Sequence, residues 1–155
     1  HPRVRRQRQM CIRDRLLIND VDRPNVGCTL DFCHMMMKND SPSYGLALAA
    51  SKGKLFGLHM NDGYGRMDSG MIFGSVNLGL SLEFVYYLKK YHYEGVVFFD
   101  TFPIREGAAE ETQANIDAFE KLSDLVDSVG LEAIGDVISK CDGIGAQKLV
   151  LGMLK

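Results

Sequence analysis

Three apolar segments, about one strand and one helix apart, each end on a group that can bind a metal. Residues 26–32 and 96–100 are near-continuous apolar runs, and residues 55–60 form a similar run between them. Such runs are typical of parallel strands that are covered on both faces. The metal-binding groups at their ends are Asp31, His59 and Asp100. We therefore predict three parallel strands whose carboxyl ends bring these side chains together.

Between these strands, apolar residues recur at helical spacing, and some segments begin with residues typical of a helix start. Ser41 and Pro42 suit the start of a helix, with Ser as N-cap and Pro at the first helical position. Gly53 is a suitable stop for this helix. The pattern predicts helices over residues 16–22, 43–51, 80–91, 108–129 and 131–155, with a break in the last at 143–145. Residues 35–37 and the Gly-rich residues 61–75 are predicted to be loops.

The alternation of strands and helices predicts an α/β fold with a parallel sheet. A closed eight-unit barrel needs roughly 250 residues, and this chain has 155. The sequence therefore allows either a small open α/β domain or the C-terminal part of a β/α barrel. In β/α barrels the carboxyl ends of the strands form the active-site face.

The net charge of −2 conceals a basic arm on an acidic domain. Residues 1–15 hold six arginines and one acid, so the other 12 basic and 19 acidic residues leave −7 for the rest. Residues 10–14 match the translation of a transposon-end adaptor used in sequencing libraries. We therefore predict a non-native, adaptor-derived arm over 1–15 and a partial barrel domain over 16–155, and we do not interpret the arm as a nucleic-acid-binding segment.

Cysteine usage and hydropathy indicate the compartment. No run approaches the ~18 apolar residues that span a membrane. The four cysteines show neither CxxC spacing nor the density of a small disulfide framework, which favours a reducing, cytoplasmic location. Cys33 is a weaker candidate metal ligand than Asp31 and His34, because buried cysteines commonly serve as small apolar residues.

Three motifs together resemble the xylose isomerase-like TIM-barrel superfamily, which includes sugar isomerases, sugar epimerases and AP endonucleases. The motifs are residues 27–34, 58–62 and 99–103. The resemblance covers residues 16–127 and implies the C-terminal part of a TIM (β/α)8 barrel, about three β/α units. Asp100 and the long loop with Asp68 are most similar to the L-rhamnose isomerase branch. Enzymes similar to D-tagatose 3-epimerase usually have Glu where this chain has Asp100.

This resemblance implies a divalent-metal enzyme that acts on a small sugar. A first metal (Mn, Co, Mg or Zn) would be held by Asp31, His59 and Asp100, together with a Glu from a preceding strand that has no counterpart here. A second metal would use His34 and Asp68. Hard oxygen ligands with one or two imidazoles suit these metals. The implied catalytic residues are Asp31, His34 and Asp100.

Each of these residues also has a simpler interpretation. Asp31 could only cap the following helix, and His34 could donate a hydrogen bond to substrate without touching metal. Asp62 could contact substrate, or it could orient the loop or a ligand histidine. Arg66 could bind sugar hydroxyls or be an ordinary solvated arginine. Asp68 could be a solvated loop acid.

Four functional hypotheses follow. The first is a metal-dependent aldose–ketose isomerase, present here as an incomplete and inactive fragment of a homo-oligomeric parent. The second is a 3-epimerase on the same scaffold. The third, an AP endonuclease, is disfavoured because Ser69 and Gly70 follow Asp68 where those enzymes carry further histidines. It is also disfavoured because the domain is acidic without the arm, whereas those enzymes use a basic groove that faces DNA. The fourth is a non-catalytic fragment. We expect neither nucleic acid nor membrane as a partner.

Overall fold

The structure is a computed structural model that describes residues 17–104 and 106–153. In it, helices separate three strands. Residues 17–21 are helical and precede the first strand. The strands are β1 (Cys28–Asp31), β2 (Leu55–Met60) and β3 (Val96–Phe99). The helices are α1 (Phe32–Met37), α2 (Pro42–Ser51), α3 (Leu78–Lys90), α4 (Ala108–Val129), α5 (Leu131–Ser139) and α6 (Gly143–Met153). The predicted arm, residues 1–15, lies outside the described residues.

The three strands form one parallel sheet in the order β1-β2-β3. Asp31 of β1 is in register with His59 of β2, and His59 is in register with Phe98 of β3. The predicted parallel sheet is therefore confirmed. Because the strands run in the same direction, their carboxyl ends share one edge of the sheet.

The two faces of the sheet differ in burial. Side chains alternate along a strand, so Leu58 and Met60 share one face, and both are buried against the helices. The other face carries His59, and here Val96 and Phe98 are 72% and 54% exposed. The apolar core therefore lies between the sheet and the helices, and the face that carries His59 is open.

Phe32 packs in the core next to the carboxyl edge of the sheet, where the candidate ligands lie. It is fully buried, and its ring meets those of Phe73 and Phe84 edge to face at centroid distances of 5.3 Å. Edge-to-face pairs stabilise a core beyond the burial of apolar area alone. Since Phe32 directly follows Asp31, this packing fixes the chain where β1 ends.

The start of α2 agrees with the prediction. The Ser41 side chain accepts a hydrogen bond from the Tyr44 backbone N–H at 3.2 Å, and Pro42 occupies the first helical position. Gly53 follows the helix with a φ of +64°, a conformation that glycine adopts without steric cost.

The prediction was wrong about the residues after β1. The strand ends at Asp31 instead of continuing to Phe32, and the predicted loop at 35–37 belongs to helix α1. The cause is a side-chain cap, because Asp31 Oδ1 accepts a hydrogen bond from the His34 N–H at 2.8 Å. Such a cap satisfies an amide that has no partner inside the helix.

The break in the C-terminal helical region also differs from the prediction. Residues 140–142 separate α5 from α6, and Gly143 begins the second helix instead of interrupting it. Asp142 Oδ1 accepts a hydrogen bond from the Gly145 N–H at 2.8 Å, as an N-cap aspartate does. None of the described helices is both long and apolar enough to cross a membrane.

Candidate metal centre

Asp31, His59 and Asp100 converge at the carboxyl edge of the sheet. His59 Nδ1 lies 3.1 Å from Asp100 Oδ2 and 3.7 Å from Asp31 Oδ2. One possible ligand atom from each of the three side chains lies within 4.8 Å of the others. Asp31 ends β1, His59 lies near the end of β2, and Asp100 directly follows β3. The register of the sheet thus brings together residues that are far apart in the sequence.

The donor set fits a divalent metal of the hard or borderline class. Two carboxylates and one imidazole are the ligands that Mn, Co, Mg or Zn sites use in proteins. The side chains of His59 and Asp100 are 38% and 31% exposed, whereas that of Asp31 is 11% exposed. The triad is therefore open to solvent on the side of His59 and Asp100, where an ion or a small molecule could approach.

The two carboxylate oxygens of Asp31 have different contacts. Oδ1 caps α1 through the His34 N–H, and Oδ2 faces His59. The capping interpretation and the metal-ligand interpretation of Asp31 are therefore compatible. The cap holds the carboxylate in one rotamer and leaves the other oxygen directed toward the triad.

His34 and Asp68 form a second pair beside the triad. His34 Nε2 lies 3.0 Å from Asp68 Oδ2, and the His34 side chain is 52% exposed. Asp68 Oδ1 is buried and has no hydrogen-bond partner in the described part of the chain. A buried carboxylate oxygen is costly to leave unpaired, so this atom fits the ligand of a cation.

Asp62 organises the long loop between β2 and α3. Its side chain is fully buried. Oδ1 accepts hydrogen bonds from the Gly63 N–H and from Asn77 Nδ2, and Oδ2 accepts from the N–H groups of Val76 and Asn77. These contacts agree with the loop-orienting interpretation of Asp62 and leave no oxygen turned toward a substrate.

A backbone hydrogen bond also joins the same loop to the segment after β3. The Phe102 N–H donates to the Gly70 carbonyl at 2.9 Å. Gly70 has a φ of +53°, and a Cβ at this position would clash with the Phe102 ring. A larger residue would therefore force the Phe102 ring or the loop to move. Arg66, on this loop, is exposed, and its predicted contact with sugar hydroxyls stays a prediction.

Cys33 lies beneath the site as a buried thiol. Its side chain is fully buried, and Sγ lies 3.6 Å from the Met67 carbonyl. Burial raises the pKa of the Cys33 thiol, a backbone hydrogen bond at Ser69 partly offsets this, and the carboxylates of Asp68, Asp31 and Asp62 also raise the pKa. This agrees with the prediction that Cys33 is a small packing residue, because a protonated thiol is a poor ligand.

Asn61, which was not predicted as a site residue, lies at the end of β2 and contacts the ends of the other two strands. The residue follows β2 directly and is fully buried. Its side chain bonds to the Cys33 N–H, to Asp31 Oδ2 and to the Asp100 carbonyl. The available signal was its place directly after the second predicted strand, between the candidate ligand His59 and the acid Asp62.

The fold and the site define an α/β protein with a parallel sheet and a potential metal site at the carboxyl edge of that sheet. The family model described as "Xylose isomerase-like TIM barrel" matches residues 15–133, and the chain belongs to this family. Its three parallel strands are part of such a barrel, as predicted. Comparison with curated proteins gave no significant match.

Proposed function

We propose that this chain carries part of the active site of a divalent-metal-dependent sugar isomerase, similar to L-rhamnose isomerase. The observation that supports this most directly is the convergence of Asp31, His59 and Asp100 at the carboxyl edge of the sheet. In TIM barrels this edge is the catalytic face, whereas the opposite edge serves stability.

The three side chains would hold the metal, and their exposed side would receive the sugar. When bound, a divalent metal there would polarise the sugar carbonyl and orient the neighbouring hydroxyl for aldose–ketose isomerisation. His34 is exposed and paired with Asp68, so it could hold or pass a proton at Nε2. The unpaired Asp68 Oδ1 supports the alternative that this pair binds a second metal.

The described part of the chain supplies three candidate ligands, and all of them lie at the carboxyl edge of the sheet. We propose that a strand-end glutamate from a preceding β/α unit completes it, and that the chain alone does not turn over sugar. The open sheet face with Val96 and Phe98 supports this, since such a face is the interior of a closed barrel. The metal identity (Mn, Co, Mg or Zn), the homo-oligomeric parent and the cytoplasmic location stay predictions.

A sugar 3-epimerase is the second candidate. It would use the same triad, and Asp100 in place of the usual Glu disfavours it. DNA repair of the AP endonuclease type is disfavoured by the acidic balance of residues 16–155 and by Ser69 and Gly70 after Asp68. We therefore rank isomerisation first.

The test is metal-dependent turnover by a protein in which an upstream barrel segment with a strand-end glutamate precedes residue 16. We expect isomerisation of L-rhamnose or a related aldose with Mn²⁺ or Co²⁺, and loss of activity on chelation. Asp31→Ala and His59→Ala should each abolish it, while Asp127→Ala, an exposed acid on α4, should not. Turnover by Asp31→Ala and His59→Ala at the wild-type rate would contradict the proposal.

A further inference from the structure

Asn61 directly follows β2, and its side chain contacts residues at the ends of both other strands. Oδ1 accepts from the Cys33 N–H at 2.9 Å, in the first turn of α1. Nδ2 donates to the Asp100 carbonyl at 3.2 Å and to Asp31 Oδ2 at 3.4 Å. The side chain is 0% exposed, so these bonds do not compete with bulk water.

We propose that Asn61 is a positioning residue that sets the geometry of the candidate metal site, an inference that rests on the proposed function. Asp31 Oδ2, which receives the Asn61 amide, is the same oxygen that lies 3.7 Å from His59 Nδ1. The amide therefore holds this oxygen toward the imidazole. Oxygen ligands that are held by hydrogen bonds from neighbouring residues bind metals more tightly.

Asn61 also restrains Asp100, which lies beyond the last residue of β3. The Asp100 N–H donates to the Met60 carbonyl at 3.2 Å, and the Asp100 carbonyl accepts from Asn61 Nδ2. Both partners are at the end of β2. The peptide groups on either side of the Asp100 side chain are thus fixed relative to His59, although Asp100 itself is outside the ladder.

A merely structural role for Asn61 makes a different prediction, and the chain offers a matched control. Asn115 is also fully buried and makes three hydrogen bonds, to the Phe73 N–H, the Thr101 hydroxyl and the Glu111 carbonyl. None of these atoms belongs to the triad. If Asn61 only stabilises the fold, the two asparagines should behave alike when replaced by alanine.

The experiment measures Mn²⁺ affinity by electron paramagnetic resonance and thermal stability in parallel. We expect Asn61→Ala and Asn115→Ala to lower the unfolding temperature of the metal-free chain by similar amounts. Only Asn61→Ala should weaken Mn²⁺ binding, by about 10- to 100-fold, the usual effect of removing a partner of metal ligands. Equal Mn²⁺ affinity in Asn61→Ala and Asn115→Ala would overturn the inference.

Two further measurements keep the outcomes distinguishable. If Asp31→Asn binds Mn²⁺ as tightly as the wild type, the proposed metal site fails, whatever Asn61 does. If Asn61→Ala does not fold, NMR of the wild-type protein tests the role of Asn61 instead. Side-chain amide protons of Asn61 that exchange slowly and shift on Zn²⁺ addition, with Asn115 unmoved, support the inference. Asn61 protons that exchange fast and do not shift overturn it.

Discussion

Replacing Asp62 with asparagine should destabilise the protein strongly, although the two side chains have the same shape. Each carboxylate oxygen of Asp62 accepts two N–H donors: Gly63 N–H and Asn77 Nδ2 at Oδ1, Val76 and Asn77 N–H at Oδ2. An asparagine side chain has one oxygen and one NH₂ group. Whichever way it is turned, the NH₂ group faces two donors, and two hydrogen bonds are lost.

The magnitude follows from the charge of the acceptor and its burial. A hydrogen bond to a charged group contributes about 1.5–3 kcal/mol to stability. Losing two of them lowers the free energy of unfolding by ~3–6 kcal/mol. Because the substitution also removes a buried charge, which is costly in itself, we expect a loss near the lower end of this range. For a chain of this size ~3 kcal/mol lowers the unfolding temperature by roughly 6–12 °C.

Urea denaturation of Asp62→Asn tests this, with hydrogen exchange of the Val76 and Asn77 amides as the local measurement. The matched control is Asp127→Asn, which removes an exposed ion pair with Lys89 and should cost less than ~1 kcal/mol. A loss below ~1 kcal/mol in Asp62→Asn would refute the loop-orienting role. A stable Asp62→Asn variant that loses sugar affinity would instead support the substrate-contact hypothesis.

Three other predictions concern burial. Phe32→Ala should cost ~3–5 kcal/mol in urea denaturation, whereas Phe98→Ala, at an exposed site, should cost far less; equal losses would contradict the assignment of the core. Iodoacetamide at pH 8 should label exposed Cys141 well before Cys33, because burial raises the pKa of the Cys33 thiol; equal labelling in mass spectrometry would be a contrary result. Although Glu83 is exposed as a residue, partial desolvation of its carboxyl raises the pKa, so the native state holds this proton more tightly than the unfolded chain and loses some stability as the pH rises above 4.5. Glu83→Gln should therefore raise the unfolding temperature at pH 7 more than at pH 4, and an equal effect at both pH values would refute this.

The sheet was predictable because its signals are local. The apolar runs mark the strands, and parallel pairing follows from the intervening helices, so the approach of Asp31, His59 and Asp100 could be predicted from their places at strand ends. Ser41 and Pro42 fixed the start of α2 by the same local chemistry. Each of these features depends on residues that are close in the sequence and on the direction of the strands.

The features that were missed depend on contacts between distant segments. The residues of helix α1 were predicted as the end of a strand (Phe32) and a loop (35–37), because six residues are too few for a helical period to show. The cap from Asp31 decides the structure there. The role of Asn61 depends on Cys33 and Asp100, which lie 28 and 39 residues away in the sequence. Amide side chains carry no signal of which donors or acceptors they will meet, so such residues are found only when the strands are in place.

The most direct test of the proposed metal centre is a Mn²⁺ titration of this chain, followed by electron paramagnetic resonance, beside the variants Asp31→Asn, His59→Ala and Asp100→Asn. We predict saturable binding by the wild type that each of the three substitutions weakens strongly, with Asp127→Asn unchanged. Binding that survives all three substitutions would contradict the assignment of these residues as metal ligands.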